Sequence, residues 1–139
     1  ATRVSKPFRF VVVGAPAYLK KRGRPRTIDD LAAHDCIGMR FSSGVLYRWE
    51  LEQGGKELEV PIRGRLVVTG MAAAMDAAVR GLGLAYVDEP TAAALLKAGK
   101  LEVVLATAAC HVPGLFLYYP RSARTDPKLA AFVAACRKK

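Results

Sequence analysis

Two histidines, His34 and His111, and three cysteines, Cys36, Cys110 and Cys136, are the groups in this 139-residue sequence best suited to nucleophilic or metal chemistry. Acyl transfer needs a hydroxyl or thiol held against a base. His34 sits in Ala32-Ala33-His34-Asp35-Cys36, where neighbours along a loop point in different directions, and no G-x-S-x-G elbow presents a serine. Cys110 and His111 are adjacent and do not easily share one acyl-transfer geometry, so they read as a buried thiol beside a polar loop residue. No catalytic residue is assigned. His34, Cys36, Cys110 and His111 could converge on a metal, but no spacing demands it and there is no C-x-x-C pair, so no metal is assigned.

Nucleotide chemistry fares no better. Gly81-Leu82-Gly83 begins like a dinucleotide fingerprint, yet Tyr86 stands where the third glycine belongs. These glycines also end a helix and precede a strand, the reverse of the order a pyrophosphate needs. No G-x-x-x-x-G-K-S/T loop occurs, and no cofactor is expected.

What remains is position. In open α/β sheets, small ligands settle at the carboxyl ends of strands and at helix N-termini, where backbone N–H groups await an anion or a polar head. Three places qualify. Arg40-Phe41-Ser42-Ser43 joins a forked cation to hydroxyl donors, Thr69-Gly70-Met71 lies at the mouth of a helix, and Val87-Asp88-Glu89 follows a strand. Each has a routine alternative: Arg40 as a surface ion-pair partner, Thr69 as a helix cap, Asp88 and Glu89 as first-turn acids.

The elements that would hold these places alternate between strand and helix. Phe8 to Val13 (FRFVVV) predicts a strand buried on both faces; Pro16 opens a short helix with Tyr18 and Leu19 inward, which Gly23 ends. Thr27 caps a second short helix with Asp29 and Asp30 in its first turn and Leu31 and Ala32 inward. Cys36 to Phe41 reads as a strand, and Leu46 to Glu52 alternates Tyr47, Trp49 and Leu51 with charged residues, the pattern of a half-exposed strand. Gly54-Gly55 turns it into a hairpin whose second strand carries Leu58, Val60 and Ile62, with Pro61 pushing it to a sheet edge.

Leu66 to Thr69 is a further strand. Met71, Ala74, Met75, Ala78, Val79 and Leu82 then mark one helical face, with Thr69 as cap. Leu84 to Val87 is a strand, Pro90 opens a helix ending near Gly99, Leu101 to Leu105 and Leu115 to Tyr119 are extended, and Asp126-Pro127 starts a last helix with Leu129, Phe132, Val133 and Cys136 on one face. Alternation of this kind predicts an α/β sheet with parallel neighbours.

Composition agrees with a folded domain: 52% hydrophobic and 24% charged, enough chain for one core or two small lobes. The +10 charge is unevenly spread. Residues 1 to 26 hold eight basic groups and no acid, and residues 120 to 139 hold six against one, which leaves 8 basic and 11 acidic residues between (+8, −3 and +5). Basic residues at the ends, without interleaved reading groups, fit a solvated surface better than direct nucleic-acid contact, although binding through the basic N-terminal segment is a competing reading. No run approaches the roughly 18 apolar residues of a membrane span, no targeting segment is read at the front, and unpaired cysteines fit a reducing, cytoplasmic setting.

Several stretches together resemble the effector-binding domain of LysR-type transcriptional regulators: A-P-A-Y-L from Ala15, D-L-A-A-H-D-C-I from Asp30, R-W-E from Arg48, G-L-G-L-A-Y-V from Gly81, and L-Y-Y-P from Leu117. The resemblance runs from about Phe8 to Arg137. It implies a truncated, periplasmic-binding-protein-like type II α/β lobe, a mixed open sheet flanked by helices, with residues 8–112 forming the second effector lobe and residues 113–139 the returning strand and helix of the first. It implies no helix-turn-helix in this chain, so DNA would be reached only through a domain absent here. It also implies a small-molecule effector, no membrane partner, and a homodimer or homotetramer whose rearrangement alters transcription. Carried over, the cleft contacts fall on Arg40, Phe41, Ser42, Thr69, Gly70 and Met71, with Ser43 and Asp88 beside them. A stand-alone small-molecule-binding module and a small hydrolase or transferase using His34 or His111 are the rival classes. The aromatic run Leu115 to Tyr118 and the Leu129/Phe132 face would lack sheet partners, which predicts self-association through the C-terminal segment.

Overall fold

The computed structural model describes residues 1–138. In chain order its elements are β1 (Thr2–Arg3), β2 (Phe8–Gly14), α1 (Pro16–Arg22), β3 (Gly38–Met39), β4 (Trp49–Gln53), β5 (Lys56–Val60), β6 (Val67–Val68), α2 (Met71–Val79), β7 (Ala85–Asp88), α3 (Glu89–Lys97), β8 (Glu102–Val104), β9 (Cys110–Val112), β10 (Phe116–Leu117) and α4 (Pro127–Arg137). Short 3-10 turns cover Ile28–Ala33, Ala106–Ala108 and Arg121–Ala123. The chain forms two compact units, one from Arg9 to Cys110 and the other from Ala1–Phe8 together with the chain from His111 onward.

The larger unit is a mixed sheet. β2 pairs with β7 through Phe10↔Asp88 to Val13↔Ala85 and with β8 through Val12↔Val104 to Gly14↔Glu102, antiparallel to both. β3 and β6 are parallel, and a parallel bridge between Cys36 and Leu84 joins them to β7, so the order is β6, β3, β7, β2, β8. The expectation of parallel neighbours therefore needs correction at one strand. The crossovers β6–α2–β7 and β7–α3–β8 obey it, but β2 enters from the other unit and runs between β7 and β8 in the opposite sense.

Three consecutive valines explain why β2 is central. Val11 and Val13 pack with Ala74, Ala78 and Ala92 of α2 and α3, while Val12 faces Tyr18, Leu19, Trp49 and Leu51. Successive strand residues alternate faces, so a strand covered on both sides must be apolar throughout. Each fully buried valine of this kind contributes roughly 1.5–3 kcal/mol. The β4–β5 hairpin closes on Gly54-Gly55, both at positive φ (60° and 79°), the backbone that a two-residue hairpin turn demands. Its Trp49 and Leu51 are buried, but Leu58, opposite Leu51, lies exposed, because the inner face of β5 is only partly covered.

Several boundaries differ from expectation. The strand expected over Cys36–Phe41 shrinks to Gly38–Met39 with single bridges at Cys36 and Arg40. Ala32 points outward, since a 3-10 turn, with about three residues per turn, keeps Leu31 and not its neighbour on the inner side. α2 is capped by Gly70 with no side-chain bond from Thr69, and it ends at Val79; Leu82 lies beyond it and is exposed.

In the smaller unit, β1 and β10 pair antiparallel through Thr2↔Leu117 and Arg3↔Phe116. Val4 N–H donates to Leu115 O at 2.8 Å, and Leu115 N–H donates to Ser5 Oγ at 2.7 Å. The extended run expected over Leu115–Tyr119 is thus a two-residue strand, and the expectation that it lacks a sheet partner needs correction, because the N-terminal residues Thr2 and Arg3 supply one. α4 starts at the Asp126 cap as expected, and none of its residues is buried. Among the described residues, no helix is long and apolar enough to cross a membrane.

Candidate functional site

Sheet register gathers the three candidate places at one edge. Met39 stands beside Val68, and Arg40 N–H donates to Val68 O at 2.8 Å, so the Arg40–Ser43 loop lies next to Thr69 and the mouth of α2. Continuing the Cys36–Leu84 bridge in register brings Asp88, the last residue of β7, level with Arg40. Arg40, Phe41, Ser42, Ser43 and Thr69 are exposed, and Gly70, Met71 and Asp88 are half-buried.

Each side chain has a definite local role. Arg40 Nη1 donates to Gly44 O at 2.6 Å, folding the guanidinium across its own turn, and Gly44 N–H donates to Phe41 O at 2.9 Å. The first turn of α2 carries no acidic residue and no side-chain cap, so its N–H groups and positive dipole end face outward unneutralised. Asp88 is engaged otherwise. Its carboxylate caps α3, accepting Thr91 N–H at 2.9 Å and the Thr91 hydroxyl. Glu89 takes a bidentate pair from Arg9 at 2.7 and 2.9 Å, and that hydrogen-bonded guanidinium holds its carboxyl below the usual range. The third place is therefore internally satisfied, while the first two present donors to solvent.

Sequence reasoning missed the aromatic wall behind this edge. Phe41 lies 5.0 Å from Tyr47, and Phe10, Tyr47, Tyr86 and Trp49 continue as ring contacts of 5.2 to 6.3 Å. Tyr86 donates its hydroxyl to Glu50 O at 2.7 Å. The signal was present as Tyr47 and Trp49 alternating with charges, but only strand order brings Phe10 and Tyr86 onto the same face.

The nucleophile candidates are placed for structure. His34 is buried, its Nδ1 2.9 Å from Tyr18 Oη, while Asp35 N–H donates to that same oxygen at 3.2 Å. Burial, and then the Arg22 cation, lower its pKa. Cys36 is buried and its thiol is pushed up to about 12, chiefly by desolvation. The Cys110 thiol donates to Glu57 Oε1 at 3.4 Å and rises to about 11 from burial and that bond. Among the described residues, Glu50, Glu57 and Cys110 bring ligand atoms within 4.8 Å of one another, so these three, and not His34 or Cys36, form the cluster that could hold a metal. A thiol with so high a pKa is protonated at neutral pH, and its bond to Glu57 is complete without an ion.

A sheet in this order, helices on both faces, and open backbone donors at the strand ends define the class: a periplasmic-binding-protein-like type II α/β fold. The chain matches the LysR substrate binding domain over residues 2–139 and belongs to that family. It is 36% identical over 138 residues to a curated relative from Pseudomonas aeruginosa, covering 99% of this chain and 45% of the relative. It is 31% identical over 134 residues to the HTH-type transcriptional regulator PgrR of Escherichia coli K12, covering 96% of this chain and again 45% of the relative. The chain thus spans about half the length of the curated relatives it matches. The regulatory domain of CrgA, a LysR-type transcriptional regulator from Neisseria meningitidis, has the same fold, with a TM-score of 0.78 at 22% identity over 100% of this chain and 68% of that one.

Proposed function

We propose that the chain is the effector-binding portion of a bacterial LysR-type regulator and that it senses a small polar or anionic metabolite without making or breaking a bond. The observation that carries this reading is the Arg40 N–H to Val68 O bond at 2.8 Å, which sets a guanidinium loop beside a helix mouth that has no side-chain cap. Arg40, Ser42, Ser43 and Thr69 would supply charge and hydroxyls, Gly70 and Met71 the backbone N–H groups, Phe41 an apolar wall, and Asp88 the fixed floor of the edge. Residues 8–112 would act as one lobe and residues 113–139 as the return of the other.

Ligand binding at such an edge would shift the balance between arrangements of a cytoplasmic homo-oligomer, changing how a DNA-binding domain outside this chain grips its site. The regulator relatives support a non-catalytic role, as does the burial of His34 and Cys36 away from this edge. The test is a thermal-shift screen of small organic acids, followed by calorimetry with any hit on wild type and on Arg40→Ala. Stabilisation of the wild type that the variant loses supports the reading; chemical conversion of the hit contradicts it.

A further inference from the structure

At the opposite end of the same sheet, where β3, β6 and β7 begin, a second concavity of about 320 Å³ is lined by Arg22, His34, Asp35, Arg63 and Arg65. Four pieces of backbone meet there: the last turn of α1, the end of the 3-10 turn after Thr27, the segment before β3, and the Arg63-Gly64-Arg65 segment before β6. The last is clamped. Cys36 N–H donates to Arg63 O at 2.9 Å, and a Cβ on Gly64 would lie 2.1 Å from the Cys36 carbonyl oxygen, so only glycine allows this approach. Arg63 and Arg65 are thereby held at the rim by a fixed main chain.

The charges do not cancel. Arg22 Nη1 and Arg65 Nη2 converge on one oxygen, Asp35 Oδ2, at 3.0 and 3.7 Å. Arg63 makes no ion pair among the described residues. Three arginines and one aspartate line the concavity, an excess of two positive charges. Arg22 is engaged through both terminal nitrogens, Nη1 on Asp35 and Nη2 on the Ala33 carbonyl at 2.9 Å, whereas the exposed Arg63 and Arg65 stand at the rim with donors left for a tetrahedral oxyanion. The His34 ring also lines the concavity, held by its Nδ1 at 2.9 Å from the Tyr18 hydroxyl, which in turn accepts Asp35 N–H at 3.2 Å.

We propose that this concavity is a binding site for a phosphate-type dianion, either inorganic phosphate or the terminal group of a phosphomonoester, separate from the effector edge. Lys20 and Lys21 in the last turn of α1 raise the local positive potential and favour entry of such an anion. The site is independent of the proposed effector reading and stands or falls separately.

The test is amide-resolved NMR titration of the full chain with inorganic phosphate and with phenyl phosphate, at constant ionic strength set with chloride. Saturable shifts at Arg22, His34, Asp35 and residues 63–65 are expected with both ligands, a tighter response to phenyl phosphate marking a phosphomonoester as the preferred source. The exposed double variant R63Q/R65Q should weaken binding at least tenfold while keeping its melting temperature, and D35N, which frees Arg22 and Arg65, should tighten it severalfold. Equal shifts with chloride alone, unchanged affinity in R63Q/R65Q, weaker binding in D35N, or shifts confined to residues 40–43 and 69–71 would each overturn the proposal. So would duplex DNA binding spread over residues 20–26 with phosphate inert.

Discussion

Arg40 reaches across its own turn to the Gly44 carbonyl, Nη1 to O at 2.6 Å, and so holds the loop that flanks the mouth of α2. A neutral carbonyl is a weaker partner than a carboxylate, so an anionic ligand at this edge competes for the same guanidinium. Arg40→Ala is expected to cost about 1.5–3 kcal/mol of ligand affinity, a loss of roughly ten- to a hundredfold, with fold stability within about 0.5 kcal/mol of wild type. Calorimetry paired with urea denaturation separates the two effects.

Tyr18→Phe removes the hydroxyl shared by His34 Nδ1 and Asp35 N–H and leaves two groups at a buried position without their partner. A loss of about 1–3 kcal/mol in unfolding free energy is expected. The same site sets an acid limit. Because burial and then Arg22 depress the folded-state pKa of His34, its contribution to stability is full above the unfolded-state pKa and disappears as pH falls through the folded value. Stability measured by denaturation should therefore decline below about pH 6.5, and an NMR titration should place the His34 midpoint below that of a free histidine.

Cysteine reactivity gives a third expectation. With the Cys36 thiol near 12 and the Cys110 thiol near 11, both stay protonated in the native state. Half-buried Cys136 should be the one labelled by a disulfide reagent at pH 8 without denaturant, and mass mapping of the labelled peptides checks this. Since both folded pKa values lie above those of the unfolded chain, the stability they contribute is present at neutral pH and fades as pH rises towards 11 and 12.

Gly64 and Gly83 bracket the start of β3. A Cβ would lie 2.1 Å from Cys36 O at the first and 2.4 Å from Asp35 O at the second, backbone against side chain with nothing flexible to yield. Gly64→Ala should cost about 3 kcal/mol or more, seen as a large fall in the urea midpoint. Gly70→Ala, with open space at its Cβ position, serves as the tolerated comparison.

The C-terminal unit exposes Leu115 (58%), Tyr118 (79%) and Phe132 (56%). Apolar groups this accessible in one small unit favour self-association. Sedimentation velocity at rising concentration should show a shift in the weight-average coefficient that Phe132→Ser reduces; a single monomeric species at every concentration would argue against it.

Much of the fold was legible because local signals coincided with tertiary demands. The FRFVVV run is apolar on both faces because it is central, the Gly54-Gly55 turn needs positive φ, and Pro16, Pro90 and Pro127 mark helix starts where a missing N–H costs nothing. The sense of β2 was not legible, since direction within a sheet depends on where a strand enters and leaves no periodicity behind. The pairing of Thr2–Arg3 with Phe116–Leu117 escaped for a related reason: two residues cannot display alternation. At the candidate site, strand ends were readable from the sequence, but that Asp88 is spent on Thr91 while Arg40 lies beside Thr69 emerges only from register. The basic segment around Arg22 read as a solvated surface because Arg63 and Arg65, distant in sequence, join it only in the fold.

The central claim, that Arg40, Ser42 and Thr69 hold a metabolite without transforming it, meets its most direct test in one titration. A small organic acid that stabilises the protein should be added to the isotopically labelled chain while amide shifts and the ligand's own spectrum are followed together. The account requires saturable shifts concentrated at residues 40–43 and 69–71, with the ligand recovered unchanged. Shifts centred elsewhere, or a ligand consumed during the titration, would contradict it.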